Sequence, residues 1–243
     1  MGLMIMLSKL RRRLVNKLNR RKLPPVAREV RRQHLTFLSE AKFLSMRDVI
    51  RQLKRKGVPG DFIEYGIALG GSAIYLSSET DERRRFRGYD VFGMIPAPGE
   101  QDDERSRVRY EVIRSGRSEG IGGDIYYGYQ ENLFDRVCET FKLFGYRVDG
   151  TKTVLHRGLF EDTVWFAPGD QVALAHLDCD WYDPVKLCLE RTAEVLSPGG
   201  FMILDDYNDY DGCRKAADQF LAARPRFALL RTTPHAVIQY SDR

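Results

Sequence analysis

The chain has 243 residues, of which 43% are apolar, and a formal net charge of +5. This length suits one substantial hydrophobic core and is short for two. No apolar run approaches the roughly 20 residues that span a bilayer, and the opening MGLMIML precedes the basic residues that a secretory signal places first, so we expect a cytoplasmic protein.

Basic residues are concentrated near the amino terminus. Residues 8–32 contain eleven Lys or Arg and one acid, which leaves residues 33–243 with a net charge of −5. Leu10, Leu14 and Leu18 recur at helical spacing, so we expect the arm to be solvated or to pack on another subunit of a homo-oligomer. The alternative is a nucleic-acid-binding arm. The acidic remainder argues against it, and we expect no nucleic-acid or membrane partner.

The segment after the arm is predicted to be helical. Residues 26–57 should form one or two helices that precede the sheet. Four apolar residues are expected to face the core, namely Phe37, Leu38, Phe43 and Leu44.

From residue 59 onward, strand-like and helix-like segments alternate, which is the pattern of a parallel sheet with crossover helices. The predicted strands are FIEYGI (62–67), FRGYDVF (86–92), KTVLH (152–156), VALAHLD (172–178) and FMILDD (201–206). The predicted helices are about 72–80, 129–144, 184–195 and 212–223. SPGG at 197–200 is predicted to be a turn between a helix and the next strand.

The last two strands should pair in antiparallel fashion. FALLRTT (227–233) and AVIQY (236–240) are separated by two residues, whereas parallel strands need a crossover of about a dozen. A mostly parallel seven-stranded sheet that ends in an antiparallel hairpin is typical of the α/β, Rossmann-like class I methyltransferase fold, which we predict here. The chain then divides into an arm with a helical segment (1–57) and a methyltransferase domain (58–243).

Residues 93–128 are too long for an ordinary connection and are rich in Gly, Pro and charge, which is typical of a functional lid. The DDERSRVRYEVI portion is predicted to be a helix on this lid. Its arginines are interpreted in two ways, as a grip for the diphosphate of a nucleotide sugar or as a solvated helix face. They are Arg105, Arg107, Arg109, Arg114 and Arg117.

EYGIALGGS (64–72) follows the first strand and opens a helix, where doubly wound folds bind nucleotides. Glycines let the backbone approach a ligand, and the helix amino terminus offers unpaired N–H groups. The spacing is not G-x-G-x-x-G, and Glu64 precedes Gly66. An acid there would disfavour a pyrophosphate and attract a cation, which favours S-adenosylmethionine, whose amino group and sulfonium are positive, over a dinucleotide.

Two further segments are expected to bind the nucleoside. Asp90 ends the second strand, 24 residues after Gly66, where a carboxylate can accept hydrogen bonds from both ribose hydroxyls. The alternative is that Asp90 caps a turn. The stretch HRGLFEDT (156–163) follows the third strand and should flank the adenine, unless its Phe belongs to the core. The candidate contacts there are Gly158, Phe160 and Glu161.

Carboxylates follow the next two strands. LDCDWYDP (177–184) and ILDDYND (203–209) end strands that should be adjacent, so Asp178, Asp205 and Asp206 can converge. Three carboxylates at one place repel unless protons or a cation are present. Mg²⁺ prefers such oxygen ligands, so the pattern predicts a magnesium site.

The alternative role for Asp205 and Asp206 is to cap the helix near Gly212. We instead assign that capping to Asp209 and Asp211. The helix after the fourth strand is assigned its own acids, which complement its positive amino-terminal end. They are Asp180 and Asp183. We interpret His176 as an ordinary strand residue.

Together these segments resemble the macrocin and mycinamicin O-methyltransferase family (TylF type), which includes sugar O-methyltransferases of antibiotic biosynthesis. The matching pieces are GDFIEYGIALGGS, YDVFGMIP, GLFEDT, LDCDWYDP and GGFMILDDY, within residues 60–207. The chain departs from the family where DWYDP stands for the usual DxYES and where the 93–128 insertion is long. These departures bear on the substrate more than on the reaction class.

The resemblance implies residues for each role. It implies S-adenosylmethionine contacts at Glu64, Tyr65, Gly66, Ala68, Ser72, Asp90 and Phe92. It implies Mg²⁺ ligands at Asp178, Asp205 and Asp206, with Asp178 also the base that deprotonates a sugar hydroxyl of a glycoside or nucleotide-activated sugar. Two alternatives remain open: a metal-dependent O-methyltransferase of a catechol-like phenol, and a non-catalytic nucleic-acid-binding protein that uses the basic arm.

Overall fold

The computed structural model describes residues 22–241, which form a seven-stranded sheet with helices on both faces. The strands are β1 (Asp61–Tyr65), β2 (Phe86–Asp90), β3 (Thr153–Arg157), β4 (Val172–Leu177), β5 (Leu196–Leu204), β6 (Phe227–Arg231) and β7 (Ala236–Tyr240). The helices are α1 (Pro25–Arg32), α2 (Glu40–Lys56), α3 (Gly71–Ser78), α4 (Glu104–Arg114), α5 (Leu133–Leu143), α6 (Phe160–Thr163), α7 (Tyr182–Ala193) and α8 (Asp211–Ala223).

The sheet order is β3-β2-β1-β4-β5-β7-β6. Strands β1 to β5 run parallel, whereas β7 is antiparallel to both β5 and β6. This arrangement confirms the predicted mostly parallel sheet with a carboxyl-terminal hairpin. Strand order reverses between β1 and β4, and ligands of open α/β sheets bind at such a crevice beyond the carboxyl ends of the strands.

Alternation along the central strands builds two core layers. On β1, Phe62 faces the layer that contains α2 and α3, and its neighbour Ile63 faces the layer that contains α7 and α8. On β4, Leu174 and Ala175 divide in the same way. Because both faces are covered, these strands are buried throughout, as expected for parallel strands.

The two helices that precede the sheet cover one face of it, as predicted. Leu38 and Phe43 are buried, and Leu44 packs at the core edge. The prediction for Phe37 was wrong. It lies in the non-helical stretch between α1 and α2, and its side chain is 56% exposed. The predicted leucine stripe of the basic arm lies outside the described residues.

Several strand ends differ from the prediction. Strands β1, β2 and β5 each end two residues earlier, so Gly66, Asp205 and Asp206 lie just past the sheet. The predicted turn at 197–200 was wrong, because these residues belong to β5. There the pairing with β4 jumps, with Val172 opposite Leu196 and Leu174 opposite Phe201, so the Pro-Gly-Gly sequence forms a bulge.

Residues 93–128 contain the predicted lid helix, which is α4. Its N-cap Asp103 accepts a hydrogen bond from the backbone N–H of Ser106 at 2.8 Å, which satisfies a free donor of the first turn. Short 3₁₀ turns follow at Ile121–Gly123 and Tyr127–Tyr129. No helix within residues 22–241 is long and apolar enough to cross a membrane.

Candidate active site

The turn after β1 passes very close to the end of β4. Gly66 has a φ of +90°, and a Cβ at this position would lie 1.9 Å from the carbonyl oxygen of Asp178. Only glycine combines that backbone conformation with that approach. The glycine therefore brings the first turn and the carboxylate-bearing strand tip together.

Asp90 holds the same turn from β2. Its Oδ2 accepts the backbone N–H groups of Ile67 at 2.6 Å and Ala68 at 3.0 Å, and its Oδ1 accepts that of Phe92 at 2.5 Å. Burial raises the pKa of Asp90, and these N–H groups offset part of the effect. Asp90 therefore caps the turn after β1, which was the alternative considered from the sequence. Its predicted role as a ribose ligand stays a prediction.

Two adjoining cavities open at this edge of the sheet. The first, of about 270 Å³, runs from the turn after β1 past the ends of β2 and β3. The second, of about 360 Å³, lies under the lid helix and over the tips of β4 and β5. The residues that line both are Gly66, Asp90, Ile95, Tyr127, Asp178, Asp180 and Trp181. A ligand in one cavity can thus meet a ligand in the other.

The predicted cofactor residues divide by position. Five of them line one or both cavities: Gly66, Ala68, Asp90, Phe160 and Glu161. The other five are not among the lining residues: Glu64, Tyr65, Ser72, Phe92 and Gly158.

Contacts within the fold explain most of the second group. The ring of Tyr65 lies in the core, and its hydroxyl hydrogen bonds Thr192 at 2.8 Å. Phe92 packs edge-on against Phe134 in the opposite core layer. Gly158 donates its N–H to the carbonyl of Asp90 at 3.0 Å.

The three predicted metal ligands come together. Asp178, Asp205 and Asp206 each offer a carboxylate oxygen, and the three oxygens lie within 4.8 Å of one another. Burial raises the pKa of Asp178 and of Asp206 well above the ordinary value. Repulsion from Asp205 adds to the effect at Asp178, and repulsion from Asp180 and Asp178 adds to it at Asp206. Hard oxygen donors under mutual repulsion are a donor set that fits Mg²⁺.

Lys42 is an unpredicted cation in this cluster. Its Nζ lies 2.5 Å from Asp205 Oδ2 and donates to the backbone carbonyl of Asp205 at 3.2 Å. Its side chain is 16% exposed and lines the second cavity. Burial lowers the pKa of Lys42, but Asp205 and its acidic neighbours outweigh burial and raise it. Helix α2 therefore contributes directly to the charge of the site.

A second polar cluster lies behind Asp205, inside the fold. His176 Nδ1 is 2.7 Å from Glu64 Oε1, and His176 Nε2 is 3.6 Å from Asp205 Oδ1. His235 Nδ1 approaches the same oxygen, also at 3.6 Å. Burial lowers the pKa of His176, yet the two carboxylates raise it to about 10. His176 does lie within β4, as interpreted, and its two ring nitrogens also face two carboxylates.

The lid contributes aromatic and basic side chains. Arg105 stacks over the ring of Tyr210, Arg109 stacks over that of Tyr126, and all four line the second cavity. The other three lid arginines do not line the second cavity. Arg107 donates to lid carbonyl groups, Arg114 pairs with Glu111, and Arg117 donates a hydrogen bond to Ser115. Of the five arginines considered from the sequence, two face the site.

The predicted acids at the helix ends are only partly confirmed, since Asp183 lies in the first turn of α7 as expected. The backbone N–H at the start of α7 is donated to Asp102 of the lid at 2.8 Å rather than to Asp180. Neither Asp209 nor Asp211 caps α8, since Tyr210 is its N-cap and makes no side-chain cap. Asp180 instead lines both cavities, and burial raises its pKa to about 7.

Sequence reasoning missed Lys42 and the partners of His176. Lys42 lies 163 residues from Asp205 along the chain, and a lysine in an amphipathic helix carries no local signal of such a contact. The Glu64–His176 pair had one available signal, because the parallel register of β1 and β4 places the two residues opposite each other. That register follows only once the strand order is known.

The chain resembles known methyltransferases in sequence. A family model described as macrocin-O-methyltransferase (TylF) matches residues 5–230. The 8-demethyl-8-(2,3-dimethoxy-alpha-L-rhamnosyl)-tetracenomycin-C 4'-O-methyltransferase of Streptomyces olivaceus is 32% identical over 168 residues, which are 68% of this chain and 59% of that protein. The mycinamicin III 3''-O-methyltransferase of Micromonospora griseorubida is 25% identical over 76% of this chain and 69% of its own length. The chain thus spans under two thirds of the first relative.

The chain resembles solved methyltransferases in fold. The structure of the O-methyltransferase NovP superposes with a TM-score of 0.69 at 22% identity, covering 86% of this chain and 83% of that one. The calicheamicin methyltransferase CalS11 gives a TM-score of 0.60 at 22% identity, covering 82% and 78%. With the strand order above, these likenesses establish the predicted class I methyltransferase fold.

Proposed function

The chain belongs to the macrocin-O-methyltransferase (TylF) family, and from that premise we propose that it transfers a methyl group from S-adenosylmethionine to a sugar hydroxyl with the help of Mg²⁺. The acceptor is a glycosylated natural product or a nucleotide-activated deoxysugar of secondary metabolism. One observation carries the proposal: three carboxylates converge at the tips of β4 and β5, in a cavity that adjoins a second cavity beside a glycine turn.

The first cavity supports the cofactor assignment. S-adenosylmethionine supplies a methyl group on a positively charged sulfur. Gly66 lines this cavity at the turn after β1, and Asp90 has a carboxylate at the cavity wall for the ribose. Phe160 and Glu161 line the far end, where the adenine would lie. The acids shared by both cavities favour a cationic donor over a dinucleotide.

The acidic cluster supports the metal assignment. Asp178, Asp205 and Asp206 would hold the cation, and a divalent cation supplies charge that lowers the pKa of a neighbouring hydroxyl. Carboxylates that repel one another when empty are relieved by a bound cation, which favours its binding. The shortest ion pair of Lys42 is with Asp205, so it leaves Asp178 and Asp206 for a bound cation to neutralise.

Asp178 is proposed as the base, since it lines both cavities. It accepts the proton of the acceptor hydroxyl as the oxygen forms its bond to the methyl carbon, and the departing sulfur keeps the electron pair of the broken bond. General-base catalysis of this kind is typically worth about 10²- to 10⁴-fold in rate. Ile95, Tyr127 and Trp181 line both cavities and give their junction apolar surface.

The test of this assignment is Asp178→Asn, with Asp211→Asn as the matched control. Asp211 lies on α8 with a side chain 73% exposed, away from the cluster. We expect Asp178→Asn to lose at least 100-fold in turnover while S-adenosylhomocysteine binding by calorimetry persists, and Asp211→Asn to keep both. Unchanged turnover in Asp178→Asn would refute the base and metal assignments.

A second experiment tests the cation and the acceptor class. Turnover should disappear in EDTA and return with Mg²⁺, and full activity in chelator would support a metal-free mechanism. Acceptors are compared by methyl transfer and mass spectrometry across nucleotide-activated sugars, finished glycosides and a catechol. Methylation of the catechol alone would replace the sugar proposal with the phenol alternative.

A further inference from the structure

The two oxygens of the Asp205 carboxylate have different surroundings. Oδ2 faces Lys42 at the cavity wall, at 2.5 Å. Oδ1 faces inward, 3.6 Å from His176 Nε2 and 3.6 Å from His235 Nδ1. None of these three inner atoms has a hydrogen-bond partner within residues 22–241. The carboxylate therefore lies between a polar interior and the site, and the two ring nitrogens are the polar atoms that face its inner oxygen.

Each imidazole is itself held by its other ring nitrogen. Glu64 Oε1 lies 2.7 Å from His176 Nδ1, and Ser45 Oγ lies 2.8 Å from His235 Nε2. Ser45 in turn accepts a hydrogen bond from Arg231 at 2.7 Å. Glu64, His176 and His235 are fully buried, so their rings and carboxylate cannot reorient without repacking the sheet.

Glu64 lies behind the walls of the two cavities. It is 0% exposed and is not among the residues that line either cavity, and its side chain points to His176 across the β1–β4 pairing. Buried charge on a strand costs free energy unless it is paired. Glu64 is paired with His176, whose other ring nitrogen faces Asp205, so Glu64 has a role inside the fold.

We infer that His176, aligned by Glu64, is a positioning residue that keeps Asp205 turned so that Oδ2 faces the cavity. His235 supports the same oxygen from the β7 side. In this orientation Oδ2 is the oxygen that would be offered to a cation, because Oδ1 faces the two ring nitrogens of the interior at 3.6 Å. The consequence of this orientation for cation binding rests on the proposed function, since outer contacts that orient a metal ligand typically change metal affinity by about 10- to 100-fold.

The test uses two substitutions that mimic different halves of the imidazole. In His176→Asn the side-chain amide can reach Glu64 but is too short to reach Asp205. In His176→Gln the amide extends toward Asp205. The control is Thr192→Val, which removes a buried hydrogen bond to Tyr65 in the opposite core layer.

The first readout is Mn²⁺ binding by electron paramagnetic resonance, with S-adenosylhomocysteine affinity measured in parallel. We expect His176→Asn to weaken Mn²⁺ binding by about tenfold or more, His176→Gln to stay within about threefold of wild type, and Thr192→Val to match wild type. Cofactor affinity should be unchanged in all. Equal Mn²⁺ affinity in the Asn and Gln variants, or a parallel loss of cofactor binding, would overturn the inference.

The second readout does not depend on a cation. A crystal structure of metal-free His176→Asn should show the Asp205 carboxylate rotated away from its present orientation, whereas retention of that orientation would overturn the inference. If wild-type protein binds no Mn²⁺, the metal part of the proposed function fails. The crystal structure then still decides the positioning role.

Discussion

Replacing Gly66 with alanine tests the close approach that joins the two halves of the site. The new Cβ would lie 1.9 Å from the carbonyl oxygen of Asp178, whereas real Cβ contacts are essentially never shorter than 3.0 Å. The turn and the tip of β4 must therefore separate by about 1.1 Å. The backbone at this φ of +90° also costs a residue with a side chain about 1–2 kcal/mol.

We expect the separation of the turn from the tip of β4 to lower the reaction rate more than it lowers the stability of the fold. Asp178 lies between the two cavities, so a shift of its backbone changes the distance between donor and acceptor. Misplacement by about 1 Å can cost about 100-fold in rate, which corresponds to about 2.7 kcal/mol of transition-state free energy. We expect Gly66→Ala to lose about that factor in kcat/KM and to bind S-adenosylhomocysteine more weakly.

Gly169→Ala is the matched control. Gly169 has the same φ of +90°, but no described atom lies within 4 Å of the position its Cβ would take. Backbone strain destabilises both variants, and thermal unfolding measures that effect. Only Gly66→Ala also has the steric collision with Asp178. A Gly66→Ala enzyme whose kcat/KM stays within about threefold of Gly169→Ala would refute the argument.

Three further predictions concern stability. Backbone N–H groups lower the pKa of Asp149 to about 2, so its charge stabilises the fold above about pH 4 and this effect is lost as the pH falls through 2. The difference in Tm between wild type and Asp149→Asn should therefore close over that pH range, and a constant difference would contradict this. Lys42→Gln removes the ammonium that pairs with Asp205 Oδ2 and should lower the free energy of unfolding by about 3 kcal/mol in metal-free protein. Saturating Mg²⁺ should restore more of the Tm in this variant than in wild type, and an equal Mg²⁺ response would count against it. Asp102→Ala removes the acceptor that ties the lid to Tyr182 of α7 and another that holds Gly99 within the lid. Limited proteolysis should therefore cut residues 93–128 faster, and an unchanged cutting rate would show that these contacts are dispensable.

Much of the architecture was predictable because its signals are local. Apolar segments of the right length alternate with helical ones along the chain, and the short connection at Pro234 and His235 dictates a hairpin. The glycine turn after β1 and the acids after β4 and β5 were readable for the same reason. Each directly follows a recognisable strand, and the carboxyl ends of parallel strands meet at one edge of the sheet.

Other features depend on which strands and helices become neighbours. Lys42 reaches Asp205 across 163 residues because α2 packs beside the tips of the central strands. The place of Glu64 before the glycine turn predicts a cofactor contact, which stays a prediction, and it gives no signal of a partner on β4. The strand register turns Glu64 toward His176, inside the sheet.

The amino-acid sequence thus determined the order of the elements and the presence of three acids at neighbouring strand tips, because periodicity and turn chemistry act between residues close along the chain. Only the tertiary structure decided which cation meets those acids and which histidines stand behind them. Burial and charge pairing are set by residues that are far apart in sequence and adjacent in space, and their energies depend on that final geometry.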